Sequence, residues 1–380
     1  MKKTCFAGLA AIFGAILSLT QVFTAFAQEP RSSIASSVNG LVMEGGQSAF
    51  AEDSDVYIPL RTFASFIGFE VSYDNESKTV SLKKGDESIS LSIEDGTVYA
   101  QGTEAGSTSL RFIDERVFVS QSFITQFIDK AALLVPTFGY DKEKDETFQS
   151  GMKIFTGNSA TSKSGVLISS LTCNFDEPAG GEGKTVSSKY AAPQFQGFSD
   201  EEFEKSLNKT FADIIHLNEA EILERYSEAK YSADEGDAYS YENDLNFCIL
   251  ETGNLFEIML EGYTYSGGAH GLESLSSYAV DVLKCKVLSL GDIFKENVDW
   301  KATLAAQMNE ITKAGGDYWD SVQEIAIDSL LDDARNFYFK DDSLVIYYQP
   351  YDIAPYARGF VAFEIPKSSI APFLADEYAA

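Results

Sequence analysis

The sequence predicts an α+β fold: a duplicated strand–helix–hairpin unit followed by a larger α+β domain with an antiparallel sheet. Three observations predict it. The order strand, helical stripe, hairpin occurs twice in the first half, about 60 residues apart. In the second half, alternating strands and amphipathic helices follow one another without the βαβ rhythm of a parallel sheet. With 380 residues, 44% hydrophobic and 13% aromatic, the chain is long and apolar enough to bury cores in two domains.

The N-terminus reads as an export signal over residues 1–27. Lys2 and Lys3 precede an uncharged run from Phe6 to Leu19, and Ala25-Phe26-Ala27 offers small residues where a signal peptidase reads, before Gln28. Ser18, Thr20, Gln21 and Thr24 interrupt the second half of that run, which argues for cleavage over a retained anchor. No later segment has the pattern of a membrane span. The expected location is outside the cytoplasmic membrane, secreted or wall-associated.

The formal charge is −29 at pH 7. Without Lys2 and Lys3, 27 basic residues face 58 acidic ones, a net −31. Such a surface repels nucleic acid, whose affinity for proteins comes largely from Lys and Arg meeting phosphate. It attracts cations and cationic proteins, with a strength that salt screens.

In the first half, Val56-Tyr57-Ile58-Pro59-Leu60 reads as a strand and Phe63, Phe66 and Ile67 as a helical stripe closed by Gly68. Val71 and Tyr73, a turn at Asp74-Asn75-Glu76-Ser77, then Val80 and Leu82 make a hairpin. Ile89, Leu91 and Ile93 alternate as a further strand. The order returns in Val117-Phe118-Val119-Ser120, in Phe123, Phe127 and Ile128, and in Tyr140-Asp141-Lys142-Glu143. The string VYIPLRTFASFIGFEVSYDNESKTVSL resembles the copper amine oxidase N-terminal-like, or stalk, domain over residues 36–150. Ser120 and Ser122 depart from its Pro-Leu-Arg hallmark in the second copy. The resemblance implies a spacer or envelope-attachment module and no copper chemistry.

Residues 151–165 read as a linker, because 157–165 are small and polar, and 166–380 as the second domain. Pro178 to Gly183 reads as a loop within that domain. Ser199 with Glu202 has the pattern of a capping box, followed by a stripe of Phe203, Leu207, Phe211 and Ile214. Asn218 with Glu221 suggests a second helix start, with Ile222, Leu223 and Tyr226 buried and His216 in partly buried packing. From Ser199 to Leu245 there are 14 acidic and 4 basic residues, which reads as a solvated face; Asp234-Glu235-Gly236-Asp237 lacks the ligand spacing of a calcium loop. Strands follow at Leu245–Glu251, Leu255–Tyr265 and Ser274–Val282. Asp299 opens a helix with Trp300, Leu304, Met308 and Ile311 on one face, stopping at Gly315-Gly316. Phe337–Tyr348 reads as a hairpin turning at Asp341-Asp342, and Gly359–Ile365 as the last strand.

Cys173, Cys248 and Cys285 lie beyond the export signal. Cys248 and Cys285 fall near neighbouring predicted strands, so the sequence allows a disulfide between them without fixing the Cα separation it needs. There is no CxxC pair, and no metal site or cofactor is expected.

The chemically suggestive segment is Tyr263, Thr264, Tyr265, Ser266, Gly267, Gly268, Ala269, His270, Gly271. His270 suits a base, a ligand or a hydrogen-bond anchor; the bland alternative is a turn whose histidine bonds nearby backbone. A hydrolase would need His270 to work with Glu261 or Glu273 and with Tyr263 or Tyr265, yet no nucleophile motif accompanies it. YTYSGGAHG, VLSLGDIF and the YFKDDSLVIYYQPYDIAPYARGFVAFEIP run, which holds Tyr351 and Tyr356, resemble the extracellular domain of lysozyme-responsive anti-sigma-V factors and a region preceding the catalytic domain of some peptidoglycan deacetylases, over about 160–375. The resemblance implies a Gram-positive envelope protein that binds lysozyme, with Tyr263, Tyr265, Ser266, Gly267, Gly268, His270, Gly271, Tyr351 and Tyr356 as candidate contacts and no catalytic residue. The expected function is therefore an exported, non-catalytic binding protein whose partner is a cationic protein such as lysozyme. Attachment to a cell-wall polymer is the alternative, and a hydrolase using His270 a second one.

Overall fold

The computed structural model describes residues 33–43, 48–52, 55–141, 146–179, 183–234, 240–313 and 336–379. The export signal, the Lys142-Glu143 turn, most of the 234–237 acidic run and the Gly315-Gly316 stop lie outside these residues. The first half opens with β1 (Ser33–Val38), β2 (Leu41–Val42), β3 (Ala49–Glu52) and β4 (Asp55–Pro59). Pro59, with φ −65°, leads into helix α1 (Leu60–Phe66), which buries Leu60, Phe63 and Ala64. Gly68 ends it at φ +86°, with its N–H donating to the Ser65 carbonyl. A meander follows: β5 (Glu70–Asp74), β6 (Thr79–Lys84), β7 (Glu87–Ser92), β8 (Thr97–Ala100) and β9 (Thr103–Ser107). The Asp74 carboxylate accepts the Glu76 and Ser77 N–H groups in the predicted turn, and those bonds hold its acid below the usual range. The second copy supplies β10 (Leu110–Ile113), β11 (Arg116–Ser120), a π-helical turn at Ile124–Ile128, β12 (Leu133–Asp141) and β13 (Glu146–Phe155). The two copies meet directly, β11 running antiparallel to β4 with Val119 opposite Ile58. In this sheet β1 lies between β3 and β13, antiparallel to the first and parallel to the second.

The second half is built on a seven-stranded sheet of β14 (Ala160–Thr161), β15 (Leu167–Pro178), β16 (Thr185–Gln196), β17 (Tyr241–Thr252), β18 (Leu255–Tyr265), β19 (Leu272–Asp281) and β20 (Lys286–Leu288), in that order. The fold class is α+β, with mostly antiparallel sheets. One pair departs from the expected pattern. Helix α2 (Glu201–Asp234) crosses from β16 to β17, which pair in parallel, so a βαβ unit is present where none was expected. Its length of 34 residues, about 50 Å at 1.5 Å per residue, suits such a crossover. Asp200 caps α2, accepting the Glu202 and Phe203 N–H groups. Ser199, expected in that role, instead points its hydroxyl at the Cys285 thiol. No second helix begins at Asn218, whose amide donates to the Ile214 carbonyl within the same helix. The inward face carries Leu207, Phe211, Ile215 and Ile222, so Leu223 and His216 fall outside it; His216 is 71% exposed beside Glu219.

Helix α3 (Trp300–Lys313), opened by the Asp299 carboxylate on the Ala302 N–H, packs Leu304 and Met308 against a three-stranded sheet of β21 (Phe337–Lys340), β22 (Ser343–Tyr348) and β23 (Val361–Pro366). That sheet covers the second face of β18 and β19 through Met259, Leu275, Val345 and Tyr347.

The halves share one core. A continuous cluster runs from Ile34, Val38 and Phe155 to Ile168, Phe247 and Phe256, with the Phe155 and Phe247 rings 4.9 Å apart. The stretch 151–165 is correspondingly not a loose connection. Residues 151–155 belong to β13, Thr156 and Ala160 are buried, and the Asp129 carboxylate accepts the Thr156 hydroxyl and the Gly157 N–H. The turn Asn39-Gly40 is the tightest point of the seam. Asn39, at φ +49°, donates to the Asn158 and Ile168 carbonyls and accepts from the Thr156 N–H and Ser170 hydroxyl. Gly40, at φ +78°, accepts the Ile249 N–H on its carbonyl, and a Cβ there would lie 2.8 Å from the Phe247 ring.

Cys173, Cys248 and Cys285 are all free thiols, so the Cys248–Cys285 bond allowed by the sequence is absent. On β17, Phe247 and Ile249 face the shared core and Cys248 faces the opposite side, whereas Cys285 packs against the shared core. The sheet separates the two sulfurs.

Alternation along β18 also buries Glu257 under β21, where its carboxylate accepts the Phe339 N–H at 3.2 Å. Burial pushes this acid up to about 8, against the opposing pulls of that N–H and of Lys367. Unfolded, it titrates near 4.5. Between those two values the unfolded chain releases a proton that the folded chain keeps, so this group drains stability as pH rises from 4.5 to about 8 and adds no further loss above. Glu257→Gln is expected to give a shallower fall of Tm across that window and a higher Tm than the parent at about pH 9. Parallel Tm profiles for the two proteins would refute it.

Candidate functional site

The glycine-rich segment is the connection between β18 and β19. Gly267 and Gly268 take φ of +96° and +94°, which side chains disfavour. The Tyr265 hydroxyl closes the turn on the Gly268 carbonyl at 3.2 Å, and Ser266 is exposed at its tip. The loop after β22 comes to meet it. Gln349 docks that loop by a two-way bond to the Leu275 backbone, its amide accepting the N–H at 3.0 Å and donating to the carbonyl at 2.7 Å. Tyr356 then donates to the Gly271 carbonyl at 2.8 Å and stacks on His270, ring centroids 4.0 Å apart and planes 13° from parallel. Tyr351 stands 5.3 Å from Tyr356 and is 48% exposed, at φ +76°. Gly271 gives the Tyr263 ring its place, because a Cβ there would lie 2.4 Å from the ring and force it to move. The nine residues singled out from two distant segments thus form one aromatic patch around a turn.

His270 is held as an anchor. Its Nδ1 lies 2.9 Å from the Gly271 carbonyl oxygen, which only accepts, so Nδ1 carries the proton. Of the two carboxylates considered as its partners, Glu261 is paired with Lys153 at 2.7 Å. Glu273, paired with Tyr263 across β18 and β19, has its acid pushed up to about 7 by burial. Among the described residues, no group of three or more His, Cys, Asp or Glu is placed to hold a metal ion.

Tyr263 and Glu273 also line a cleft of about 570 Å³ that extends from the patch along the second face of β17–β19 to the β12–β13 hairpin of the first half. Lys153 projects from β13 into this seam, where its ammonium donates to Asn246 and Glu261, both at 2.7 Å. Burial pulls the Lys153 pKa down, but Glu261 outweighs it and holds the ammonium above its usual range. Burial pushes up the acids of Glu242 and Asp244 on the same wall, and it pushes the Cys248 thiol up to about 12. Sequence reasoning missed Lys153 and Asn246. The one available signal was a lone lysine in the apolar run Met152-Lys153-Ile154-Phe155.

Comparison with known proteins matches three segments. Residues 37–132 match the copper amine oxidase N-terminal domain, 180–273 the family described as deacetylase PdaC, and 291–368 a protein family of unknown function, DUF3298. A curated relative, the peptidoglycan-N-acetylmuramic acid deacetylase PdaC of Bacillus subtilis, is 27% identical over 209 residues, which cover 52% of this chain and 41% of that protein. The chain thus spans less than half the length of this relative. Two solved DUF3298 structures are similar. One from Bacteroides fragilis has a TM-score of 0.44 and 23% identity, covering 55% of this chain and 94% of that one. The other, from Pseudomonas aeruginosa, has a TM-score of 0.36 and 17% identity, covering 56% and 95%. No helix among the described residues is long and apolar enough to cross a membrane.

Proposed function

We propose that this chain is a non-catalytic binding protein of the bacterial cell envelope, and that its acidic second half captures a cationic protein of the lysozyme class. The observation that carries the non-catalytic reading is the state of His270, the side chain a hydrolytic mechanism would need. It is stacked on Tyr356 and bonded through Nδ1 to backbone, and among the described residues no hydroxyl or thiol is hydrogen-bonded to its Nε2, as a nucleophile served by that base would be. The named relative acts on peptidoglycan, which supports an envelope setting. The outward face of α2 supports a cationic partner: Leu217, Leu223 and Tyr231 are exposed there among Glu224 and Glu228.

A calorimetric titration of the chain from Gln28 onward with a cationic lysozyme tests the reading. Saturable one-to-one binding is expected at low salt and again at about 0.3 M salt, where exposed charges are strongly screened. Absence of binding, or binding lost at the higher salt, would sink it. So would release of acetate or reducing ends from peptidoglycan by the parent protein that His270→Ala abolishes.

A further inference from the structure

Four residues that line the cleft stand in one row across the sheet: Lys189 of β16, Asp244 of β17, Tyr263 of β18 and Glu273 of β19. Glu242, two residues before Asp244, shares that face and lies opposite Tyr265. The charges in this corner do not balance. Lys153 is taken up by Glu261. Lys189 offsets Asp244 and Glu242 in part, so three carboxylates meet one ammonium. Glu242 and Glu273 have neither a hydrogen bond nor an ion pair among the described residues, and burial holds both acids above their usual range. Both side chains are only half-buried, so each keeps surface that a ligand in the cleft can reach. Burial raises the pKa of the Tyr263 hydroxyl, and Glu242, Tyr356, Glu273 and Tyr265 raise it further, which places all four about that hydroxyl. Tyr265 and Tyr356 spend their own hydroxyls on the Gly268 and Gly271 carbonyls, whereas the Tyr263 hydroxyl has no partner among the described residues. Carboxylates and aromatic rings about one point attract an organic cation. Leu275 follows Glu273 on the same face of β19, and with Phe360 it continues the wall in apolar side chains, in a cleft of about 570 Å³. The fitting cation therefore arrives on an apolar stem, which is the build of lysine and arginine side chains. Outside the cleft, Tyr351 is 48% exposed beside Tyr356 and offers contact area beyond the reach of a free amine, so the cation belongs to a polypeptide.

We infer that this cleft takes a lysine or arginine side chain of a partner polypeptide, its charged head between Glu242 and Glu273 beside Tyr263 and its stem along Leu275. The site lies on the other face of the sheet from α2 and stands whether or not a lysozyme is captured there. It is tested by calorimetric titration of the full chain, without lysozyme, with n-hexylguanidinium, at about pH 8, above the Glu273 acid. Saturable binding is expected at millimolar concentration or below. The uncharged isostere n-hexylurea should bind at least about tenfold more weakly, because the carboxylates then have no cation to meet. The double variant Glu242→Gln with Glu273→Gln should weaken n-hexylguanidinium by a similar factor, whereas Glu224→Gln on the outward face of α2 should leave it unchanged. Glu273→Gln alone, with a loss of about threefold or more, decides where the double variant fails to fold. Three results would each overturn the site: no binding of n-hexylguanidinium at about 10 mM, equal binding of n-hexylurea, or unchanged binding by the folded Gln variants.

Discussion

Replacing Asn39 by alanine is expected to destabilise the folded chain by about 4 kcal/mol, a large share of a typical domain's stability. The side chain is fully buried and makes four hydrogen bonds, two given and two received, tying the end of β13 (Thr156 and Asn158) to β15 (Ile168 and Ser170) across the seam. Each buried bond contributes about 1 kcal/mol net, and a donor or acceptor left unpaired costs about 1–3. Alanine at the left-handed φ of +49° adds strain that asparagine tolerates better. Urea denaturation followed by far-UV circular dichroism and by tryptophan fluorescence measures it. Both probes should move together, because both halves contribute to one cluster. A loss below about 1 kcal/mol, or a first half that melts alone with the second unaffected, would mean that the seam does not join the halves.

Lys153→Met is expected to cost about 3–5 kcal/mol, because it leaves the Glu261 carboxylate buried beside Asn246 with its cation gone. The pair is mostly buried, with side-chain exposures of 15% and 22%, so solvent screens it little. The double variant Lys153→Met with Glu261→Met removes both charges and keeps comparable volume, and most of the loss should return. The readout is a double-mutant cycle by urea denaturation, with a coupling of about 2 kcal/mol or more expected. A coupling under about 0.5 kcal/mol would show that water already compensates the pair.

Local patterns were legible, because alternation and turn chemistry act between near neighbours. The β5–β6 hairpin with Asp74 in its turn, the end of α1 at Gly68 and the β21–β22 hairpin turning at Asp341 all follow from residues within a few positions of one another. The glycine-rich turn and the Tyr351–Tyr356 loop were both visible as segments, but their meeting through Tyr356 and Gly271 spans 85 residues. What stayed hidden depends on distant partners. The parallel pairing of β16 with β17 requires α2 to run unbroken through Asn218, and burial of Ile215 and Ile222 on either side outweighs the local preference for a new start. Composition made 157–165 look loose, while the Asp129 carboxylate from another segment holds it. Lys153 and Glu261 stand 108 residues apart, so no spacing rule joins them.

The Asn39-Gly40 turn also sets an order of events. It sits near the start of the described chain, yet the partners of Asn39 lie more than 100 residues later. A polypeptide leaving a ribosome or a translocation channel N-terminus first shows β1 and its turn before the groups that complete them exist. At about 5–20 residues per second that interval lasts on the order of ten seconds, long compared with the closing of any hairpin in the chain. For that time the first strand offers an unpaired edge to proteases and to other chains. A nascent chain stalled before Thr156 would hold this early segment open indefinitely, so degradation of such fragments should begin at their N-terminal end.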